Sequence, residues 1–360
     1  MPDESDSPSD IEVIKQRKRE GIVIPLTRNV QAKESSTYLE YVKLIHNALP
    51  EIDFDAVDTS QKFLGHNFKA PIIIDSMTGG TPEATKINSR LSLAAEKFGL
   101  GMGLGSQRAG PLSSELAETY SIARSNAPNA FLVANIGGAQ LSKGLKIKDI
   151  KNMIQMIEAD ALVIHLNPLQ ELIQPEGEPK YKGVLSRIKE ICSNFDIPII
   201  VKEVGAGISM DVAKRLQSAG VSAINVAGSG GTSWAGVEKL RAETAHDSNK
   251  INLGELFWDW GIPTAVSLIE VRKSVKIPVI ASGGIRNGLE IAKCVTLGAN
   301  MCGMAFPFLR HASKSLESLY EFTSRTLIEL RSAMFLVGSK NINQLGKTRF
   351  MVTGELAKVK

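Results

Sequence analysis

From residue 71 onward the chain repeats one pattern: a short apolar run, a glycine-rich or polar end, then a stretch with helical spacing. The runs are "PIIIDSMTGG" from residue 71, "GMGLGSQR" from 101, "AFLVANIGG" from 130, "ALVIHLNP" from 161, "PIIVKEVGAG" from 198, "SAINVAGSGG" from 222, "PVIASGGIR" from 278 and "NMCGMAFP" from 300. Short apolar strands alternating with helical stretches imply a parallel sheet covered by helices. Eight such units are the number a closed (β/α)8 TIM barrel requires, with an open doubly wound sheet as the alternative. The gap between the sixth and seventh runs is longer than the others, carries "INLGELFWDWGIPT", and predicts an inserted loop or lid. Ahead of the barrel, "SSTYLEYVKLIHNALPEIDF" has helical spacing up to Leu49 and breaks at Pro50, so an arm with a helix beside the barrel is expected. The resulting division is a disordered tail over 1–10, an N-terminal arm and helix over 11–70, the barrel over 71–340 and a C-terminal tail over 341–360.

Composition changes this picture little. With 43% hydrophobic and 22% charged residues, the 360-residue chain is ordinary for a protein with a full core. The net charge of +4 is spread out except for "KQRKR" at 15–19, read first as a solvated arm and second as a phosphate contact. No aromatic platform or recognition motif accompanies that run, so nucleic acid is not an expected partner. Cys192, Cys294 and Cys302 form no C-x-x-C pair, which argues against a disulfide framework or a zinc site and for a reducing, cytoplasmic setting. "MPDESDSPSD" lacks the apolar core of a signal peptide, and no run is long enough to span a bilayer.

The strand ends carry the chemistry, because a barrel of this kind places its active site at the C-terminal ends of its strands. In "ALVIHLNPLQE", alternation puts Val163, His165 and Asn167 on one face and Leu162, Ile164 and Leu166 on the other. Pro168 stops the strand and leaves Gln170 and Glu171 in the following loop. A lone His at a strand end is more often structural than catalytic; four polar groups on one rim reverse that weighting. Ser106, Gln107 and Arg108 close the second strand, Asn135 lies on the third and Lys202 comes late on the fifth, together describing a pocket for an anionic, heteroaromatic ligand. The glycines of "AGSGGTSW", "SGGIRNG" and "GMAFP" let backbone N–H groups approach a phosphate, with Thr232 and Arg286 as side-chain donors. One phosphate and a flat polar ring suggest FMN, with "MTGG" and Asn135 against the ring and Lys202 near the edge that turns anionic on reduction. The absence of a G-x-G-x-x-G after a strand argues against a dinucleotide.

In their order, "DSMTGG", "GMGLGSQR", "VANIGG", "HLNPLQE" with "QPEGEP" after it, "VKEVGAGIS", "GGTSW", "DWGIPT" and "SGGIRNG" resemble the type 2 isopentenyl-diphosphate isomerases, from about residue 17 to about 340. The resemblance implies interconversion of isopentenyl and dimethylallyl diphosphate, with no net redox change. It also implies FMN in its reduced form, NADPH as reductant, Mg²⁺, and a homotetramer or homo-octamer. Carried over, Arg17, Lys18, Ser106, Gln107 and Arg108 are diphosphate contacts, and His165, Asn167 and Gln170 are the wall beside the reacting carbons and the catalytic candidates. Glu171 is the magnesium ligand. Ser76, Met77, Thr78, Ser106, Asn135, Lys202, Thr232, Gly283, Gly284, Arg286, Ala305 and Phe306 form the FMN shell. Mg²⁺ held between one carboxylate and the substrate phosphates would explain an acid beside an anion. Two departures from the family pattern stand out: Gly21 where the arm usually has His, and Val204 where a small polar residue is frequent. The rival readings are an FMN-dependent 2-hydroxy acid oxidase, whose His base over the flavin has no counterpart in "AGSGGTSW", and a non-catalytic flavin-binding barrel.

Overall fold

The computed structural model describes residues 8–359. Its centre is a closed barrel of eight parallel strands: β1 (Ile72–Ile74), β2 (Gly101–Gly103), β3 (Phe131–Gly137), β4 (Ala161–Leu166), β5 (Ile199–Glu203), β6 (Ala223–Asn225), β7 (Val279–Ser282) and β8 (Met301–Met304). β8 closes on β1 through Cys302 opposite Ile72 and Met304 opposite Ile74. These are the eight runs read from the sequence, and the (β/α)8 class is borne out.

The alternation along β4 holds as expected. Val163 joins Ile73, Phe131, Val133, Ala161, Ile200, Ala223, Ile280 and Met301 in the barrel interior, whereas Leu162 and Ile164 pack outward into the larger core beneath the helices. A hairpin, Gln61–Phe63 paired with His66–Phe68, contributes Phe63 and Phe68 to the interior cluster, and the Phe68 and Phe131 rings meet edge to face at 5.4 Å. The lower interior is therefore apolar and plugged by side chains, which confines ligand binding to the other end.

The arm differs from its sequence reading. No α-helix spans 35–49; a short 3-10 turn (Leu39–Tyr41) leads into a strand (Val42–Leu44) that pairs antiparallel with Phe350–Val352. The spacing of Leu39 and Val42, both buried, is met by a turn followed by a β-branched strand residue, a pattern periodicity alone does not separate from a helix. The arm's helix lies earlier, in α1 (Pro8–Thr27), anchored by buried Ile14 and Ile22. Residues 1–7 of the expected tail lie outside the described residues, and 8–10 open α1. The C-terminal residues form that edge strand and a short helix, Ile342–Leu345, instead of a featureless tail.

Two further corrections bear on the site. Pro168 does stop β4, but it also starts a short helix, α2 (Pro168–Ile173), where proline at the first helical position needs no N–H. Gln170 and Glu171 therefore sit on a helix and not in a loop. The expected insertion after β6 is likewise helical: α3 (Trp234–Thr244) and α4 (Ser248–Leu256) precede α5 (Thr264–Ser274), which leads into β7. Among the described residues no helix is long and apolar enough to cross a membrane.

Candidate active site at the barrel mouth

Above the apolar plug the strand ends turn polar. Lys202 on β5 is buried and lies 3.8 Å from Asp75 at the end of β1, while its ammonium donates to the Glu203 carbonyl at 2.8 Å. Asn225 on β6 donates to the Asp75 carboxylate at 3.3 Å and accepts from the Ser282 hydroxyl of β7 at 2.6 Å. Four strands thus contribute to one hydrogen-bonded floor.

The loops after β6, β7 and β8 form a cup beside this floor, lined by Thr232, Gly283, Gly284, Arg286, Ala305 and Phe306 together with Ser76, Met77 and Lys202. Gly283 and Gly284 have φ of 98° and 72°, and a Cβ would meet the Gly228 carbonyl at 2.1 Å and the Thr37 methyl at 2.3 Å respectively. Only glycine fits either position. Phe306 opens a helix, Phe306–Lys314, whose N-terminal N–H groups favour an anion. Arg286 stacks on the Phe306 ring at 5.3 Å, and burial lowers its pKa. Among the described residues the buried Ser76 hydroxyl has no hydrogen-bond partner. A buried orphan hydroxyl, a glycine-built cup and an arginine with no carboxylate against its guanidinium among the described residues are a donor set suited to an acceptor-rich anion.

The wall is built on the end of β4 and on α2. His165 Nδ1 lies 2.8 Å from Asn135 Oδ1, and the Asn135 amide nitrogen donates to the Leu104 carbonyl at 3.0 Å, which fixes the amide's orientation. Burial, then Lys202, Lys18 and Arg17, depress His165 to about 3. The ring is therefore neutral and donates from Nδ1 to the Asn135 amide oxygen. Asn167 accepts from the Tyr181 hydroxyl at 2.8 Å and donates to Gln170 Oε1 at 3.1 Å and Glu171 Oε1 at 3.2 Å, its neighbours three and four residues on. Gln170 in turn donates to Glu238 Oε1 at 2.8 Å.

α1 brings two cations, Arg17 and Lys18, over this wall beside Arg108 from the segment after β2, overturning the solvated reading of "KQRKR" at those two positions. Lys18 donates to the Ser106 carbonyl at 2.7 Å, which also accepts from the buried Tyr120 hydroxyl at 2.8 Å. Arg17 has one long ion pair, 3.9 Å to Glu176, and Arg108 has no ion pair or side-chain hydrogen bond among the described residues. Burial, then Arg17 and Arg108, pull Lys18 down to about 7. A diphosphate would restore its proton. Diphosphate affinity is therefore expected to fall as pH rises through about 7, with proton uptake on binding near pH 8 and a flatter profile in Lys18→Arg. A pH indicator in weakly buffered solution reads this; binding without proton uptake at pH 8 would refute it.

One group missing from the sequence reading ties the wall to the arm. Arg241 on α3 is buried and donates to Glu238 at 2.7 Å, to Glu20 of α1 at 2.7 Å and to Glu176 at 2.8 Å. Burial works against this charge; Glu238, Glu176 and Glu20 more than offset it and raise the arginine's pKa. Trp234, Glu238 and Arg241 follow i, i+4, i+7 spacing directly after the glycine-rich sixth strand end, a helical polar face that was there to be read. Asp75 and Asn225 stand inside the quoted strand runs and were likewise passed over.

A relative from Methanosarcina barkeri, named isopentenyl-diphosphate delta-isomerase, is 48% identical over 344 residues, covering 96% of this chain and 93% of its own. Proteins of the same name from Methanothermobacter thermautotrophicus and Pyrococcus furiosus are 45% and 46% identical over 95% and 94% of this chain, covering 94% and 86% of theirs. The chain belongs to the isopentenyl-diphosphate delta-isomerase family. A family model described as FMN-dependent dehydrogenase matches residues 138–352. Solved structures of mandelate oxidase, one a variant carrying an FMN monooxide adduct and another with (S)-2-phenylpropionate, share the fold. Their TM-scores are 0.62 and 0.63 at 17% and 16% identity, over 96% of this chain and 100% and 98% of theirs.

Within this family member the candidate residues separate clearly. Arg17, Lys18, Ser106, Arg108, Asn135, His165, Asn167, Gln170 and Glu171 line one cleft with Ser76, Met77, Thr78 and Lys202. Gln107 is a correction: its buried side chain donates to the Met153 carbonyl at 2.8 Å and accepts from the Asn135 N–H at 3.1 Å, so it supports β3 and does not reach the cleft. The Thr78 hydroxyl donates to Asn88 at 2.5 Å and is used within the fold. Gly21 lines the cleft with an added Cβ 3.8 Å from the Trp234 ring, so its missing side chain leaves space there. No cluster of three or more His, Cys, Asp or Glu suited to a metal occurs among the described residues. Of the two carboxylates lining the cleft, Glu238 is taken up by Gln170 and Arg241, whereas Glu171 accepts from the Asn167 amide and the Glu178 N–H, the latter at 3.1 Å. That donor set fits a hard cation that takes its remaining oxygens from a diphosphate and water.

Proposed function

We propose that this protein interconverts isopentenyl and dimethylallyl diphosphate with the assistance of reduced FMN bound at the barrel mouth. The observation that carries the reading is the meeting of Arg17, Lys18 and Arg108, cations with almost no counter-charge, with a neutral amide and imidazole wall, beside a cup suited to a flavin phosphate. The cations hold the diphosphate, and a Mg²⁺ ion would be held by Glu171 and the phosphate oxygens so that the carboxylate does not repel the substrate. Lys202, Ser76 and Met77 border the ring, and the glycine cup with Thr232 and Arg286 takes the cofactor phosphate.

Allylic isomerisation adds a proton at one carbon and removes one from another, passing near a tertiary cation that bulk water or a strong base would capture. The chain's part is to exclude water and orient. α1 covers the cleft, and Gln170 is held at both ends of its amide by Asn167 and Glu238, while the neutral His165 lines the cleft without adding positive charge. Reduced FMN, when bound, supplies the group that exchanges the proton with the five-carbon skeleton. NADPH is the reductant in this reading, and the protein works in the cytoplasm as a homotetramer or homo-octamer. The exposed Leu256 and Trp260 of the insertion are the kind of apolar surface an assembly covers. To test the activity, the FMN-loaded protein is given isopentenyl diphosphate with Mg²⁺ and the flavin reduced and, separately, (S)-mandelate with the flavin oxidised. Allylic diphosphate from the first and no flavin bleaching by the second is expected; the reverse result makes the protein a hydroxy acid oxidase.

A further inference from the structure

Gln31 lies beyond the end of α1, on a segment that crosses the glycine cup. Its backbone is held on several sides. It bridges Thr232 in an antiparallel contact, Ala32 N–H donates to the Gly231 carbonyl at 2.8 Å, Ser233 N–H donates to the Val30 carbonyl at 2.7 Å, and the Trp258 indole N–H donates to the Gln31 carbonyl at 3.0 Å. The half-buried side chain then reaches both side-chain donors of the cup. Nε2 donates to Thr232 Oγ1 at 3.3 Å, and Oε1 accepts from Arg286 Nη2 at 2.6 Å.

Arg286 makes this contact informative. Among the described residues its guanidinium has no carboxylate within ion-pair distance, and Gln31 is its one side-chain hydrogen-bond partner. Glu290, the acid nearest in charge effect, is occupied with the Arg286 backbone N–H at 2.6 Å. A desolvated cation facing a neutral amide is incompletely compensated and keeps its attraction for an anion. An acid at position 31 would have cancelled that attraction.

We infer that Gln31 is a positioning residue for the cofactor phosphate: its neutral amide holds Arg286 and Thr232 aimed into the cup without neutralising the arginine, and so couples the N-terminal arm to cofactor retention. This rests on the FMN reading of the cup. The amide suits the task because it accepts from the guanidinium and donates to the hydroxyl at the same time. It also leaves the cup's net charge positive for a phosphate dianion. Because 28–31 follows directly on α1, the segment that carries the diphosphate cations also braces the cofactor site.

The test uses the apo-protein titrated with FMN and, in parallel, with riboflavin, which lacks the phosphate; quenching of flavin fluorescence gives both dissociation constants. Gln31→Glu places a carboxylate against Arg286 and should weaken FMN by about tenfold or more. Riboflavin affinity should stay within about twofold, which also reports that the variant is folded. Gln31→Ala, which frees Arg286 without adding charge, should weaken FMN by a smaller factor, about threefold, again sparing riboflavin. A Gln31→Glu protein that binds FMN as the wild type does, or that loses both flavins equally, overturns the inference while leaving FMN as the cofactor. A wild-type protein that binds neither flavin overturns the cofactor reading and this inference with it.

Discussion

Gln170→Ala is expected to lower turnover of isopentenyl diphosphate by about two orders of magnitude, at the lower end of what a positioned proton-handling group contributes. The amide is held at both ends, by Asn167 at 3.1 Å and by Glu238 at 2.8 Å, so its orientation is set before substrate arrives. Alanine removes the group from the wall and leaves Glu238 with Arg241 as its remaining partner. Because Gln170 is not among the residues that line the phosphate cup, FMN affinity should be unchanged, and the KM for the diphosphate should move far less than kcat. Steady-state kinetics under anaerobic conditions, with flavin content measured on the same sample, separate these effects. Normal turnover with intact reduced FMN would show that the amide has no share in the chemistry.

The second large effect is on stability and on the arm. Arg241→Met removes a buried cation that three carboxylates share, and breaking a buried ion pair on one side costs about 3–5 kcal/mol because the partners are left uncompensated. Glu238 suffers most. Burial already raises its pKa, with Arg241 the largest opposing influence, so without the arginine it rises further. A carboxyl whose folded pKa lies above its unfolded value binds more protons folded than unfolded, so stability falls as pH climbs from the ordinary carboxylate range through the folded pKa. The deficit of Arg241→Met should accordingly widen with pH over that window. In a Glu238→Gln background the same substitution should cost less, by roughly 1 kcal/mol or more, the coupling expected for groups in direct contact. Denaturant melts of the four proteins measure this directly. Equal costs in both backgrounds would mean that the arginine acts through Glu20 and Glu176 alone.

The barrel was legible because its strands are buried on both faces and read as continuous apolar runs closed by polar ends. The mouth residues of β4 were legible for the same reason: His165 and Asn167 interrupt a run whose other members have no polar atoms. The arm was not. A 3-10 turn feeding a strand at Leu39–Leu44 repeats apolar residues at helical intervals, while α1, rich in charge, hid its two apolar anchors, Ile14 and Ile22, among cations that turned out to face the cleft. The networks escaped for a different reason. Arg241 and Glu20 are 221 positions apart, Gln31 and Arg286 are 255 apart, and Asn225 and Asp75 are 150 apart. Each residue alone reads as an ordinary charged or polar side chain; closure of the barrel and the return of the arm across its mouth make them partners. Gln107 failed in the opposite sense, since a polar residue in a recognised motif is as able to brace a strand as to meet a ligand.

The most direct measurement of the central claim is anaerobic conversion of isopentenyl diphosphate in deuterated water by the protein loaded with FMN and Mg²⁺, followed by NMR, with the flavin reduced in one sample and oxidised in the other. The account predicts dimethylallyl diphosphate, carrying deuterium from the exchanged proton, in the reduced sample alone and with no net change in flavin redox state. Product at equal rates in both samples, or none in either from protein that has bound the flavin, would contradict it.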